Sequence, residues 1–546
     1  MFARLDPARR ARSLEALGGT EFDVLVVGGG VVGAGAALDA ASRGLSVALV
    51  EADDWAAGTS SRSSKLVHGG LRYLEQLEFK LVREALKERG LLLRRLAPHL
   101  VRPVPFLFPL KKQWERAYVG AGVLLYDSIG GAGAVPMHRH LSRSKMAAVG
   151  PSLDASAFAG AIRYYDAQMD DARLVSTLVR TAAQHGATVV SRARVTSLLR
   201  TDGRVSGASV RDELSGVTHV VRARRVISAT GVWTDSLNSM SPGTAPFHVR
   251  MSKGVHVLVD RSRIQLDGGL ITQTEKSVLF VIPWGAYWII GTTDTPYSGS
   301  PEDVAATPED VSYILDHVNA VLRTPLTADD VVGTYAGLRP LLDGASGDTA
   351  QLSREHAVAE PEPGFFVIAG GKYTTYRVMA ADVVNAAVAG LGSAVAPSLT
   401  ARLPLCGAVG FHELWADRAR VAAESGLPTS TVERLLRRYG SAVSDVLAMI
   451  AQDPSLAEPV AGYLAAEIVY AVTHEGALGL EDVLARRTRI AMEHLDFGVS
   501  VAGQVAELIA QPLGWSDAER DAAVSAYRAG VSVAAPVRDV AARPGM

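Results

Sequence analysis

The residues from Gly58 to Tyr73 combine reactive side chains with glycines in one short stretch. The stretch holds hydroxyls, cations and His68, which Gly69 and Gly70 follow directly, and it has few residues of the kind that fill a core. Such a composition is typical of a loop that encloses a ligand, and not of a buried helix or strand. We therefore predict that this loop contacts both a cofactor and a substrate. Its serines, which we expect to bind the cofactor or to satisfy the turn backbone, are Ser60, Ser61, Ser63 and Ser64.

A glycine-rich turn upstream of this loop indicates where a dinucleotide binds. The apolar run Phe22 to Val27 is typical of a strand, and it ends at Gly28. Gly28 permits a tight turn, Gly30 lets the backbone approach a pyrophosphate, and Gly33 allows the following helix to pack closely on the strand. The N-terminus of that helix favours an anion. Strand, turn and helix in this order predict an adenine dinucleotide site.

Later parts of the chain indicate which dinucleotide, FAD or NAD, is bound. The second apolar strand ends in Glu51, which is placed to bind a ribose hydroxyl and argues against a ribose phosphate. Two further strands, Arg225 to Gly231 and Phe365 to Gly371, also end in glycine turns. Three such junctions far apart in the chain indicate one extended cofactor that is contacted from several sides. FAD fits this pattern better than NAD, so we predict an FAD site that includes Gly231 and Gly371.

Length and composition exclude several classes of protein. A chain of 546 residues is too long for one core and predicts two or three domains. Its 55 basic and 57 acidic residues nearly balance, so the overall charge does not point to nucleic acid as a partner. We also expect no metal site. The single cysteine, Cys406, allows no internal disulfide and is compatible with a reducing compartment. The N-terminus lacks a signal-peptide pattern and no span reads as a membrane helix, so any membrane attachment should be peripheral.

The order of the predicted elements assigns a fold class. We predict an α/β protein with an FAD-binding doubly wound (Rossmann-like) domain, an α+β substrate domain and an all-α C-terminal domain. The helical part follows a boundary at Pro404 to Gly407 and includes a helix from Leu480 to His494. The predicted domains are residues 20–100, 145–240 and 360–395 for FAD binding, 100–145 and 241–359 for the substrate, and 405–546 for the helices.

Several longer motifs point to one family. They are Ser60 to Glu75 (SSRSSKLVHGGLRYLE), Lys253 to His256 (KGVH), Ile290 to Asp294 (IGTTD), Gly337 to Pro340 (GLRP) and Gly370 to Arg377 (GGKYTTYR). Together they closely resemble the FAD-dependent glycerol-3-phosphate dehydrogenases, over roughly residues 20–395 and more loosely in the helical part. The resemblance implies oxidation of sn-glycerol 3-phosphate to dihydroxyacetone phosphate. It also implies that a hydride passes from C2 to flavin N5 and that the electrons then reach a membrane quinone.

The implied substrate needs an anchor for its phosphate. Arginine offers phosphate oxygens a planar fork of donors, and Arg72 and Arg339 both lie beside glycines in loop-like contexts. We predict both as substrate ligands, with Tyr73, Lys372 and Thr374 beside them. The alternative is that these arginines pair with carboxylates in the core.

The implied reaction also needs catalytic groups around the reacting carbon, and we assign Arg339 to them. His68 and His256 are the candidate bases, because a neutral imidazole can accept the hydroxyl proton and an adjacent cation would keep it neutral. The sequence does not separate the two histidines.

Lys372, Thr374 and Thr375 open a predicted helix. The lysine and the helix N-terminus would stabilise negative charge that develops on the flavin, so Lys372 is also predicted to be catalytic. The threonines can cap the helix while reaching the substrate or flavin. The alternative is a helix cap with a solvated lysine.

One segment predicts contact with lipid. Phe79 to Leu100 combines apolar residues at helical spacing with basic ones, and the apolar run Val104 to Leu110 and Trp114 follow it. A basic amphipathic helix beside aromatic residues can lie on anionic lipid, whereas the alternative is an ordinary half-buried helix. We expect a cytoplasmic protein that is peripheral on the inner face of the plasma membrane. The oligomeric state stays open, and a homodimer is one option.

Three other functions stay open. A glycerol 3-phosphate oxidase that uses oxygen would share the substrate site, so only the electron acceptor separates it from a dehydrogenase. A non-catalytic FAD-binding regulatory or assembly subunit would have no reason to keep the full set of charged candidates. An amine or hydroxy acid oxidoreductase of the same fold would leave the phosphate-directed arginines without a role.

Overall fold

Two β-sheets and a group of helices make up the part of the chain that the structure describes. The computed structural model covers residues 2–75, 78–130, 135–242, 247–274, 278–343, 355–392 and 394–534, without the side chains of residues 72, 75 and 532–534. The strands are β1 (Glu21–Val27), β2 (Val47–Val50), β3 (Leu66–Val67), β4 (Arg102–Leu110), β5 (Arg139–Ser142), β6 (Gly160–Gln168), β7 (Thr188–Val190), β8 (Ala193–Thr201), β9 (Arg204–Asp212), β10 (Thr218–Ser228), β11 (Val249–Asp260), β12 (Gly269–Gln273), β13 (Val278–Trp284), β14 (Tyr287–Gly291), β15 (Thr295–Tyr297), β16 (Val331–Leu342), β17 (His356–Glu362), β18 (Phe365–Gly370), β19 (Pro459–Val460) and β20 (Tyr463–Leu464). The helices are α1 (Pro7–Gly19), α2 (Val31–Ser42), α3 (Arg72–Glu75), α4 (Phe79–Leu91), α5 (Glu115–Ile129), α6 (Arg143–Val149), α7 (Asp171–Gln184), α8 (Thr234–Asn238), α9 (Pro308–Asn319), α10 (Tyr376–Val388), α11 (Phe411–Ala416), α12 (Arg418–Ser425), α13 (Thr429–Tyr439), α14 (Val443–Gln452), α15 (Ala465–Thr473), α16 (Ile490–Glu493), α17 (Ala502–Leu513) and α18 (Asp517–Ala534).

The first sheet contains the predicted nucleotide-binding strands. Strands β18, β10, β1, β2 and β7 lie side by side in that order and run parallel. Successive side chains of β1 enter opposite cores, since a strand alternates its faces. Val24 and Val26 pack with helices α2, α7 and α10, whereas Leu25 and Val27 pack with the antiparallel strands β8 and β9. The predicted doubly wound, Rossmann-like fold class is confirmed.

Parallel pairing brings the carboxyl ends of four strands to one edge of this sheet. Val27 of β1 lies beside Val50 of β2 and Ser228 of β10, and Ser228 lies beside Val367 of β18. The glycine turns that follow β1, β10 and β18 therefore open on the same side. This convergence is what three junctions scattered along the sequence predicted.

The second sheet has the order β15-β11-β14-β13-β12-β4-β6-β3, with β16 paired to β11 and β5 to β6. Strand β6 pairs with β4 along its whole length. Strand β6 lies inside the range 145–240 that the sequence assigned to FAD binding, and its Ile162 and Tyr164 fill the same core as Phe106 of β4. The domain division stays a prediction.

The C-terminal part is helical apart from the short pair β19 and β20. The predicted helix Leu480 to His494 is interrupted: a wide helical turn spans Asp482–Arg487, the chain is extended at Thr488, and α16 follows. Arg486 and Arg487 pair with Asp54, and Arg489 pairs with Asp170. A regular helix would point these three side chains in different directions, so the interruption lets all three pair.

The segment predicted to contact lipid divides into buried and exposed parts. Strand β4 places Phe106, Leu107 and Leu110 in the core, so the predicted contribution of Val104 to Leu110 to a lipid surface is wrong. Arg89 of α4 is buried too, and its guanidinium pairs with Asp166. Across the described residues, no helix combines the length and the apolar character that crossing a bilayer requires.

Candidate active site

A cavity of about 860 Å³ lies where the glycine turns of the first sheet face the second sheet and the Gly58–Tyr73 loop. Most predicted site residues line it. They are Gly28, Gly30, Glu51, Ser60, Ser63, Ser64, His68, Tyr73, Gly231, His256, Arg339, Gly371, Lys372 and Thr374. Gly33, Ser61 and Thr375 lie outside its lining. Arg72 begins α3, and its side chain lies outside the described part of the chain.

The turn between β1 and α2 has room for backbone only. Gly28 has a φ of 108°, and a Cβ there would lie 2.6 Å from the carbonyl oxygen of Ala229. A Cβ on Gly33 would overlap the carbonyl oxygen of Gly28, so Gly33 allows the close helix-strand packing that the sequence predicted. Gly30 precedes the first turn of α2 and lines the cavity. This helix N-terminus fits the pyrophosphate of a dinucleotide.

Glu51 follows β2 and lies beside the glycine turn. Its carboxylate accepts the backbone N–H of Gly29 at 2.5 Å and that of Asp53 at 2.8 Å. Burial raises the pKa of Glu51 to about 7, and the Gly29 hydrogen bond opposes that rise. A carboxylate has further lone pairs, so a ribose hydroxyl could donate to it and favour the charged form.

The four predicted serines make different contacts. Ser60 Oγ accepts the backbone N–H of Val31 at 3.0 Å, at the start of α2. Ser61 Oγ contacts only the turn backbone, at 3.5 Å from the Gly58 oxygen. Ser63 Oγ donates to Asp171 at 2.7 Å. The last serine, Ser64, contacts a candidate base.

His256 is a buried histidine on β11 that lines the cavity. Its Nε2 lies 2.8 Å from Ser64 Oγ, and its ring stacks on Tyr335 with 4.7 Å between centroids and 8° between planes. Burial lowers the pKa of His256 well below 6.5, and the nearby charges of Arg339 and Lys65 lower it further. The imidazole is therefore neutral at physiological pH, the state in which it can accept a proton.

His68 is half-buried on the same cavity wall, and its backbone is tied on two sides. Thr374 Oγ1 accepts the His68 N–H at 3.2 Å and lies 3.1 Å from the His68 carbonyl oxygen. The next residue, Gly69, donates its N–H to Tyr126 Oη at 2.8 Å. Thr375 is the N-cap residue of α10, but within the described part of the chain its hydroxyl makes no capping hydrogen bond and donates to the Lys372 carbonyl oxygen. Thr374 binds the His68 turn, so the predicted capping by the threonine side chains is wrong.

Arg339 reaches the cavity from β16. Its Nη2 lies 3.0 Å from Thr292 Oγ1 and 3.2 Å from the Thr293 carbonyl oxygen. Its Nη1 lies 3.4 Å from Ser252 Oγ and 3.6 Å from Asp294 Oδ1. Neutral oxygens thus lie closer to the guanidinium than the carboxylate of Asp294 does, and the side chain lines the cavity.

Lys372 brings a second cation to the same wall. Its Nζ lies 3.5 Å from the centre of the Tyr73 ring and is buried, so the alternative of a solvated lysine does not describe this structure. A cation over an aromatic face is attracted by the ring quadrupole. Lys372 and Tyr73 come from different motifs, and the fold places them together.

Residues that the sequence did not single out support these groups. Tyr335 stacks on His256, Thr292 holds Arg339, and Tyr126 joins Gly69 to Asp166 through hydrogen bonds of 2.8 Å. Tyr335 precedes Arg339 by four residues on one strand, and this even spacing places both on one face. That signal could have found Tyr335. Tyr126 gave no local signal, because it lies on a helix remote in sequence.

Comparisons with known proteins cover nearly the whole chain. Residues 23–383 match the family model of FAD dependent oxidoreductases, and residues 398–520 match that of the C-terminal domain of alpha-glycerophosphate oxidase. The chain is 56% identical over 533 residues to glycerol-3-phosphate dehydrogenase 2 of Mycobacterium bovis, covering 97% of this chain and 91% of the relative. It is 37% identical over 542 residues to the human mitochondrial glycerol-3-phosphate dehydrogenase, covering 94% and 74%.

A solved structure agrees with these matches. The glycerol-3-phosphate dehydrogenase from Bacillus halodurans, determined in complex with FAD, superposes with a TM-score of 0.80 at 30% identity and covers 97% of this chain and 98% of that one. The glycine turn, the N-terminus of α2 and Glu51 described above fit the same cofactor. The chain therefore belongs to the FAD-dependent oxidoreductases and, within them, to the FAD-dependent glycerol-3-phosphate dehydrogenases.

Proposed function

We propose that this protein oxidises sn-glycerol 3-phosphate to dihydroxyacetone phosphate. The observation that carries the proposal is the meeting of two cations, Arg339 and Lys372, and two histidines, His68 and His256, in the cavity that the nucleotide-binding turns also line. A small phosphoester needs cationic anchors beside a base, and a dinucleotide cavity alone would not need them.

The first sheet holds the cofactor in this proposal. The turn at Gly28 and Gly30 receives the pyrophosphate at the start of α2, and Glu51 accepts a ribose hydroxyl. Gly231 and Gly371 border the same cavity from the ends of β10 and β18. FAD, when bound, supplies the acceptor for the hydride that leaves C2.

The second sheet and the loop hold the substrate. Arg339 presents a guanidinium fork that matches two phosphate oxygens, and Lys372 adds a point charge beside Tyr73. Arg72 follows the His68 turn and stays a proposed ligand, as does Thr374, which orders that turn. These groups fix the ester so that C2 stays in place, which is worth much of the rate in such reactions.

We propose His256 as the base that removes the hydroxyl proton of the substrate. Ser64 lines the cavity and lies 2.8 Å from His256 Nε2, so the proton can pass through this hydroxyl to the neutral ring. Stacking on Tyr335 holds the ring plane. His68 is the alternative base, since it borders the same cavity.

Anaerobic mixing with glycerol 3-phosphate tests the function. We expect the flavin absorbance of the holoenzyme to bleach, and a flavin that stays oxidised would contradict the proposal and favour a non-catalytic FAD-binding subunit. Amine and hydroxy acid substrates without phosphate serve as controls and should leave the flavin oxidised. Reoxidation then separates two acceptors: a quinone for a dehydrogenase, or oxygen with release of hydrogen peroxide for an oxidase.

We propose a membrane quinone as the electron acceptor and peripheral attachment at the inner, cytoplasmic face of the plasma membrane. Helix α5 supports this, because Trp114, directly before it, and Tyr118 are 62% and 61% exposed, and Leu124 and Leu125 are exposed on the same helix. Exposed basic residues of the neighbouring segments accompany them, namely Lys80, Arg83, Lys87, Lys111 and Lys112. Aromatic side chains beside cations suit an anionic lipid surface. A homodimer stays a prediction.

Replacing both Trp114 and Tyr118 by serine should weaken binding to anionic liposomes about tenfold or more, because two large apolar side chains are lost from the contact. Flotation at low and high salt measures the effect, and the remaining binding should be salt-sensitive. Serine at Leu214, in the turn between β9 and β10, and at Val220 of β10 is the matched control, because these residues are 59% and 51% exposed, and it should leave binding unchanged. Equal losses in both double variants would remove α5 from the membrane contact.

A further inference from the structure

Lys65 is a fully buried lysine directly behind the cavity wall. Its Nζ lies 2.6 Å from the Ser61 carbonyl oxygen and 2.9 Å from Asp171 Oδ2. Lysine is almost never fully buried unless it is paired, because desolvating its charge is costly. Its neighbours Ser63 and Ser64 line the cavity whereas Lys65 does not, so contact with a substrate does not explain its position.

Asp171 holds Lys65 within a network of buried charges. The same carboxylate oxygen accepts the N–H of Ser63 at 2.9 Å and its hydroxyl at 2.7 Å. The other oxygen contacts the guanidinium of Arg489, which also pairs with Asp170 at 2.5 Å. Arg489 belongs to the helical C-terminal part, so that part of the chain fixes the loop that carries Lys65.

The loop reaches His256 from two sides. Lys65 Nζ lies 4.8 Å from the centre of the Tyr335 ring, and that ring stacks on His256. Tyr335 also donates its hydroxyl to the Ser63 carbonyl oxygen at 3.0 Å, while Ser64 bonds the imidazole itself. Lys65 has a φ of 59°, a conformation that non-glycine residues rarely keep without support from their surroundings.

We propose that Lys65, fixed by Asp171, is a positioning residue for the base: its ammonium adds to the burial and the Arg339 charge that disfavour protonation of the His256 imidazole, and its loop fixes the Ser64 contact. The catalytic role in this inference rests on the proposed function. The charge state of His256, however, can be measured without any substrate.

The sign of the effect follows from the groups that face His256. Strand β16 contributes Tyr335 and the cation Arg339, the loop contributes Ser64 and the cation Lys65, and β14 places Gly291 opposite the histidine. Burial lowers the pKa of Lys65 to about 8, so Lys65 is charged at neutral and acidic pH. A cation disfavours protonation of a neighbouring ring, so removing the Lys65 charge must raise the pKa of His256.

The test is a pH titration of the holoenzyme by ¹⁵N NMR of its histidine rings, with His256 assigned from the His256→Asn variant. In the wild type we expect the His256 ring to stay neutral as the pH falls through 6.5 and to protonate only at clearly lower pH. In Lys65→Met we expect the ring to begin to protonate about one pH unit higher than it does in the wild type. A ring that begins to protonate at the same pH in Lys65→Met and in the wild type would overturn the proposal. Lys65→Gln carries the same expectation and replaces Lys65→Met if the latter does not fold.

Asp171→Asn is the matched control, because it removes the other partner of the same ion pair. Loss of a negative charge cannot favour protonation, so the His256 titration should not move up. If both variants shifted it upward alike, general disruption would explain the result and the proposal would fail. The flavin spectrum checks that every variant retains FAD. Failure of the proposed function would show separately, as a wild-type flavin that glycerol 3-phosphate does not bleach.

Discussion

Arg339→Ala is expected to lower kcat/KM for glycerol 3-phosphate by about a hundredfold or more, because the phosphate loses its fork of donors and C2 is no longer held in place. We expect both a higher KM and a lower kcat, because the same contact binds the substrate and places its C2 for reaction. FAD content should be unchanged, because Arg339 extends from the second sheet and the cofactor turns belong to the first. Steady-state kinetics with a flavin spectrum of each preparation measures this.

Arg263→Ala is the matched control for this experiment. Arg263 is also an arginine paired with an aspartate, but it lies on the surface, where its Nε is 2.7 Å from Asp330. Its loss should leave kcat/KM near the wild-type value, because exposed ion pairs contribute little to stability. Near-normal kinetics in Arg339→Ala would remove this residue from the substrate site.

His256→Asn is expected to slow flavin reduction by glycerol 3-phosphate about 10²- to 10⁴-fold, the usual contribution of a general base. In the wild type, the low pKa of His256 keeps the ring neutral as the pH falls through 6.5, so the rate should decline only at clearly lower pH. His256→Asn should lose that acidic limb, because asparagine does not titrate. Stopped-flow measurement of flavin bleaching across pH checks both effects.

Two further variants test whether this result is specific to His256. His474→Asn is the matched control, since His474 is also buried and also stacks on a tyrosine, Tyr470, at 4.2 Å between centroids, yet it lies outside the cavity. It should keep the wild-type pH profile. His68→Asn should slow reduction but retain the acidic limb. If His68→Asn lost the limb instead, His68 would be the base and His256 a support for the site.

Local sequence predicted the nucleotide-binding part of the site well, and the physical reason is that this part is local. The strand, the glycine turn and helix α2 are consecutive, and Glu51 ends the next strand of the same unit. Gly33 meets a backbone neighbour that the unit itself supplies, the Gly28 carbonyl oxygen, whereas Gly28 meets the carbonyl oxygen of Ala229, which follows β10. The motifs also brought His68, His256, Arg339 and Lys372 into consideration, and the fold places all four around one cavity.

The sequence did not predict roles that depend on which distant residue a side chain contacts in the fold. The apolar run Val104 to Leu110 looked suited to lipid, but pairing of β4 with β6 buries it. The Leu480 to His494 segment looked like one helix, but the helix is interrupted where Arg487 and Arg489 pair with Asp54 and Asp170. Thr374 looked like a helix cap, but it binds the His68 turn. Each competing contact comes from residues far away in the chain.

The sequence by itself determined the dinucleotide unit, the family and the set of chemically active side chains, because short-range spacing and residue type are enough to specify them. Only the tertiary structure decided which of those side chains share a cavity, and that Tyr335 stacks on His256 while Lys65 and Asp171 lie behind it. The reason is that the charge state of a buried imidazole depends on distances to groups from other strands and loops. Those distances exist only after both sheets and the helical C-terminal part have packed together.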